Sequence, residues 1–311
     1  NTKGERTLKM SSEYKTKGFF IPNSGIMRSD LIIESAPAFK TDGAIGDAGV
    51  RGATVSKREC GCFVVTDVSL NTPQAASELS KPMGRYITLE PKTPLALAPS
   101  DVSGAAAVIA GSIALLVGGD ASERCAPDIN VLVVGLGNSA VTPDSLGPAA
   151  CGRVLATRHI KANAPHLFCE GMTSVCRLSP GVMGDTGIDA QQIINAVAKS
   201  IGFDLIIAVD ALACADAGHL GKTIQLTDTG ISPGSGVMNA RAELSQAALG
   251  IPTVAIGVPT MADIGSSEEP LMVTPKSISG LIKSSAELIG MGINAYLQPG
   301  LTASQINLLL G

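Results

Sequence analysis

Tryptophan is absent from this 311-residue chain, and aromatic residues make up only 3% of it. That scarcity argues against the stacking platforms that hold single-stranded nucleic acid. Long basic runs are missing too, and the formal net charge is -4. A direct nucleic-acid partner is disfavoured by that balance. No apolar run is long enough to span a bilayer comfortably. The most apolar stretch, Ala105 to Val117, is short and dominated by small residues, which predicts a packed helix and no membrane association. The start of the chain is polar and charged, without a signal-peptide pattern, so a cytoplasmic location is expected. Histidine is sparse, at His159, His166 and His219, with no paired spacing. Seven cysteines are scattered at Cys60, Cys62, Cys125, Cys151, Cys169, Cys176 and Cys214, an odd number in a long chain. A disulfide framework is therefore not expected. Cys60-Gly-Cys62 lacks the two-residue spacer of common zinc or redox pairs, and no metal or organic cofactor is expected.

Glycine, at 35 residues, and alanine-rich stretches point to tight turns and close helix–sheet packing. Residues 1–30 mix charge, Gly and Pro without a period and read as a propeptide-like segment. Residues 31–311 read as one domain. Residues 31–34 (LIIE), 62–70 (CFVVTDVSL) and 86–90 (YITLE) have the β-branched content of strands. From residue 130 strands and helices alternate. Short apolar runs at 131–137 (VLVVGLG), 204–210 (DLIIAVD), 222–226 (KTIQL) and 253–258 (TVAIGV) suit buried strands. Helices are predicted from about Ser145 to His159, over 189–201 where Ile193, Ile194, Val197 and Ile201 share a face, and over 274–297 with Thr274 as N-cap. The pattern predicts an α/β fold: three layers, α/β/α, with a mostly parallel central sheet plus additional N-terminal strands.

In such sheets, sites lie beyond the carboxyl ends of the strands. Two acids fall there: Asp144 in the loop after the 131–137 run, and Asp210 closing the 204–210 run. Two neighbouring carboxylates push their proton affinities apart, so that one activates water and the other protonates a leaving amine. Each acid also has a purely structural reading, Asp144 as a helix N-cap and Asp210 as a strand-end residue bonding loop amides. Gly135 and Gly137 invite a dinucleotide reading, but the third glycine of that fingerprint would fall on Ala140. The backbone around Gly135, Gly137 and Asn138, and the loop with Gly234, Ser235 and Gly236, could instead offer amides to a peptide or an oxyanion. Cys214 and His219 lie near Asp210 in sequence, without the pattern of an activated nucleophile.

The runs VLVVGLGNSAVTPDSLGP (131–148), PGVMGDTGID (180–189), DLIIAVDALA (204–213), 223–260 and LMVTPKSISGLIKSSAELIGMGINAYL (271–297) closely resemble the spore germination protease family. So do RSDLIIESA (28–36) and KPMGRYITLE (81–90). The resemblance covers most of the chain in the right order. It implies a cofactor-free, atypical aspartic endopeptidase that starts the degradation of small acid-soluble spore proteins in the spore core. Its essential acids match Asp144 and Asp210. It implies a fold related to the hydrogenase maturation endopeptidases, a homotetramer, and a zymogen that cuts itself, here at Asp30–Leu31. Three departures stand out. Ser232 replaces a family histidine, residues 211–216 (ALACAD) lack a family arginine, and the segment 261–270 is short. Two alternatives stay open: a maturation-type peptidase trimming one partner protein, and a catalytically degenerate paralogue that only binds.

Overall fold

The computed structural model describes residues 29–36, 46–47, 49–92, 99–120, 128–168, 171–232, 243–264 and 271–310. In chain order its strands are β1 (Gly46–Asp47), β2 (Ala53–Cys60), β3 (Phe63–Leu70), β4 (Gly84–Pro91), β5 (Asn130–Gly135), β6 (Ser174–Leu178), β7 (Leu205–Cys214), β8 (Ile224–Thr227), β9 (Thr253–Asp263) and β10 (Met272–Val273). Its helices are α1 (Pro73–Leu79), α2 (Pro99–Leu116), α3 (Leu146–Cys151), α4 (Arg158–Asn163), α5 (Met183–Thr186), α6 (Ala190–Ile201), α7 (Gln246–Leu249), α8 (Ile278–Leu297) and α9 (Ala303–Leu310). The strands form one sheet in the order β1-β2-β3-β4-β8-β9-β7-β5-β6, with β10 on β9.

The class is the α/β one expected. β6, β5, β7 and β9 run parallel and make one end of the sheet, with β6 at its edge. The N-terminal strands β1 to β4 extend it as an antiparallel wing. β8 joins the two parts, running against both β4 and β9. The short β8 follows β7 closely in sequence, without the long crossover that a parallel partner needs.

Both faces are covered. On one, α2 and α8 pack on each other and, with α3, on Val131, Val133, Leu205, Ile207, Val209, Ile256 and Val258. On the other, α6 uses Ala190, Ile194 and Ala198 against Leu132, Val134, Ile206 and Ala208. Further along that second face a separate apolar cluster gathers Leu31, Ile32, Ile33, Leu79, Tyr86, Leu212 and Cys214. The alternation of β7 explains the division. Its residues 205, 207 and 209 face α2 and α8, while 206 and 208 lie under α6 and 212 and 214 under residues 31–33. Asp210 is the residue left in the seam between the last two patches. Among the described residues no helix is long and apolar enough to cross a membrane.

Several local expectations need correction. Residues 31–34 are not a strand: Ile32–Glu34 forms a 3-10 turn, closed by Ser35 N–H donating to Ile32 O at 3.0 Å. The β-branched run is buried as expected, but the Ile32 amide bonds a side chain, Gln225, instead of a neighbouring strand. The helix expected from Ser145 to His159 is two helices, because α3 stops at the Gly152 cap and Val154 turns into the core. Thr274 does not cap α8. Its hydroxyl donates to Thr260 O at 2.9 Å, and the helix starts after Ser277. β7 continues four residues past Asp210, held by β9.

Candidate active site

The chain leaves β5 for β6 on one side and returns to β7 on the other, which opens a crevice at the carboxyl ends of β5 and β7. The β5–β7 ladder ends at the pair Gly135 and Val209, with Leu136 N–H donating to Val209 O at 2.8 Å. Asp210 is thus the first β7 residue beyond the ladder. Its side chain is 4% exposed, and Oδ1 accepts from the Ala211 amide at 2.9 Å.

Asp144 arrives from the other strand. After β5 the backbone turns at Gly137, where φ is +107°, a conformation that favours glycine. A Cβ there would come within 2.1 Å of the Asp144 carbonyl oxygen. The turn Val141–Asp144 then closes with Asp144 N–H donating to Val141 O at 2.8 Å. Asp144 is half-buried, and Oδ2 accepts from the Asn138 amide at 2.7 Å. Its carboxylate is therefore not the cap of α3; Ser145 holds the cap position, without a side-chain bond. The 3-10 turn Thr142–Asp144 packs against β7, β9 and α8.

Two glycines let α3 sit close against the ends of both strands. A Cβ on Gly147, in the first turn of α3, would lie 2.2 Å from Leu136 O and 2.4 Å from Val209 O. One on Gly135 would lie 2.3 Å from Gly147 O. The start of α3 is wedged between the residues that follow β5 and precede Asp210. Gly234, Ser235 and Gly236 lie outside the described residues, as do Cys125 and Cys169.

Asp30 and Leu31 lie on the continuation of β7. Asp30 N–H donates to Ala213 O at 2.9 Å, and Ala213 N–H donates to Asp30 Oδ2 at 2.8 Å. Lys81 Nζ donates to Ser29 O at 2.7 Å. Gln225 takes both sides of Leu31: Nε2 donates to Asp30 O at 3.0 Å, and Oε1 accepts from Ile32 N–H at 2.7 Å. Leu31 is fully buried. Sequence reasoning passed over Lys81 and Gln225. The one available signal was a glutamine inside the apolar run of β8.

Glu34 anchors the other end of this segment. Its carboxylate accepts from the amides of Ala215 at 2.7 Å and Asp216 at 3.0 Å, and bonds His219 Nδ1. Burial alone would push the Glu34 carboxyl up, but the bonds from His219, Ser29 and the two amides outweigh it and hold it at about 2. The Glu34 bond raises the His219 imidazole against the opposing effect of burial. A depressed carboxyl contributes stability above its ordinary value of 4.5, lost as pH falls toward about 2. A raised imidazole contributes below its ordinary 6.5, lost as pH rises through the folded value. The stabilisation by the pair is therefore greatest between these limits. Melting curves of Glu34→Gln and His219→Gln should differ most from wild type between about pH 4.5 and 6.5. A gap that is constant from pH 4 to pH 9 would contradict this.

The Cys214 thiol is pushed up to about 12, first by burial and then by Glu34 and Asp216, and it donates weakly to Met261 O. With His219 committed to Glu34, the two do not form a nucleophile–base pair. Among the described residues no group of three or more His, Cys, Asp or Glu is placed to hold a metal ion.

A sequence model described as germination protease matches residues 33–270. The germination protease of Clostridium acetobutylicum is 34% identical over 327 residues, covering 90% of this chain and 98% of that protein. That of Bacillus subtilis is 37% identical over 241 residues, covering 78% of this chain and 64% of that protein. Among solved structures, a NiFe hydrogenase maturation protease from Thermococcus kodakarensis is similar at 22% identity and a TM-score of 0.33, over 54% of this chain and 92% of that one.

Proposed function

The chain belongs to the germination protease family, and from that premise we propose that it is an endopeptidase that begins the breakdown of small acid-soluble spore proteins when spores germinate. Asp144 and Asp210 are its catalytic pair. One carboxylate takes a proton from water as the oxygen attacks the peptide carbonyl. The other gives its proton to the leaving nitrogen as the C–N bond breaks. The observation that carries the reading is the convergence at the crevice: β5 leaves the sheet one step before Asp210, and the turn it feeds packs the Asp144 segment against β7. The amides of Asn138 and Ala211 orient the two carboxylates.

In this reading residues 1–30 are a propeptide, 31–311 the peptidase domain, and Asp30–Leu31 the bond the zymogen cuts in itself. The active form is a homotetramer in the spore core. Support for the cut comes from the docking of Asp30 on Ala213, three residues past Asp210. The test is digestion of a purified small acid-soluble spore protein by the protein after its self-cleavage, with and without EDTA, followed by mass spectrometry. We expect a few discrete fragments, unchanged by chelator. An intact substrate would overturn the assignment, and cleavage lost with EDTA would overturn the two-carboxylate chemistry.

A further inference from the structure

We propose that Gln225 is a catalytic residue, the donor that grips and polarises the carbonyl of the bond to be cut. The inference rests on the reading of Asp30–Leu31 as the self-cleaved bond. Gln225 lies in one row of the sheet with the proposed catalytic centre: it pairs with Gly257 across β8–β9, and Gly257 pairs with Asp210 across β9–β7. Paired residues of neighbouring strands point to the same face, and two strand spacings separate the backbones of Gln225 and Asp210 by roughly 10 Å. Residues 29–34 cover that same face, where Leu212 fills the space above Gly257.

The orientation of the Gln225 amide is fixed by its partners. Oε1 accepts from Ile32 N–H, so Nε2 must face Asp30 O, which can only accept. The side chain is 6% exposed and rises from a strand held on both sides, by Thr88 of β4 and Gly257 of β9. Such a donor is preorganised and dry. Lys81 on Ser29 O, and Ala213 on both the backbone and the carboxylate of Asp30, set which carbonyl it meets.

Its part in the reaction follows from where charge develops. As the water oxygen bonds to the carbonyl carbon, the π pair moves onto the Asp30 oxygen, and the Nε2–H bond to that oxygen strengthens. The proton of the water passes to one carboxylate. Collapse restores the carbonyl and expels the Leu31 nitrogen, protonated by the other carboxylate. One donor of this kind is worth on the order of 100-fold to 1000-fold in rate.

Gln225→Glu keeps the acceptor for Ile32 and deletes the donor. Gln225→Met deletes both in a similar volume, and serves if a buried glutamate prevents folding. Self-cleavage of the full chain is followed by intact mass. Docking of the segment is followed separately, as protection of the Ile32 amide, which donates to Gln225 Oε1, from hydrogen exchange. We expect Gln225→Glu to slow cleavage at Asp30–Leu31 on the order of 100-fold while that protection is kept. A variant that cuts at the wild-type rate overturns the role of Gln225 alone. So does a loss of cleavage matched by an equal loss of protection, which makes Gln225 a tether only. A wild type that cuts itself at another bond, or not at all, overturns the processing reading and this inference with it.

Discussion

Asp210→Asn is expected to lower cleavage of spore protein by about 1000-fold or more, with the melting temperature little changed. The substitution is isosteric, and the amide oxygen still accepts from the Ala211 N–H. What disappears is the exchangeable proton. Acid–base groups placed on the reacting atoms contribute about 100-fold to 10,000-fold, and a pair acting as a unit loses most of its effect when one member goes. Asp144→Asn should match it, since Asn138 keeps its acceptor, and the double variant should be no slower than either single one. Initial rates on a defined spore-protein substrate, beside thermal melts, decide the matter. An Asp210→Asn enzyme that digests at the wild-type rate removes Asp210 from the chemistry.

The largest effect on stability is expected from Gly147→Ala. The new methyl would lie 2.2 Å from Leu136 O, 2.4 Å from Val209 O and 2.5 Å from Leu136 N. All three are main-chain atoms, so no side chain can rotate away. Overpacking in a well-packed interior costs about 1–3 kcal/mol and occasionally more; here we expect about 3 kcal/mol. Because α3 would have to lift from both strands, Asp144 should move with it, and activity should fall further than stability alone explains. Gly104, on α2, is the control: an added methyl meets nothing within 4 Å. Gly104→Ala should be neutral or stabilising by up to about 1 kcal/mol. Urea titrations of both variants check the pair. A Gly147→Ala protein as stable as wild type would show that α3 is not wedged there.

The parallel part of the sheet was legible because β5, β7 and β9 are buried on both faces and read as unbroken apolar runs. β2 was not, since Lys57, Arg58 and Glu59 interrupt its alternation, and nothing local says that β3 will pair with it. The 31–34 run misled for the opposite reason. It has the composition of a strand and the burial of one, but its backbone is satisfied by a side chain. The positions of Asp144 and Asp210 could be read because an acid after an apolar run is a local signal. The Gln225 clamp could not, because its partners lie 193 and 195 residues away.

That remoteness bears on timing. While the chain is being synthesised, residues 29–34 have no surface to dock on until β7 and β8 have left the ribosome, and contacts of such separation form late. On the proposed reading of Asp30–Leu31 as the self-cleaved bond, that bond is offered for cutting only by a molecule whose sheet is already assembled. An unfinished or misfolded copy lacks the cradle that holds residues 29–34.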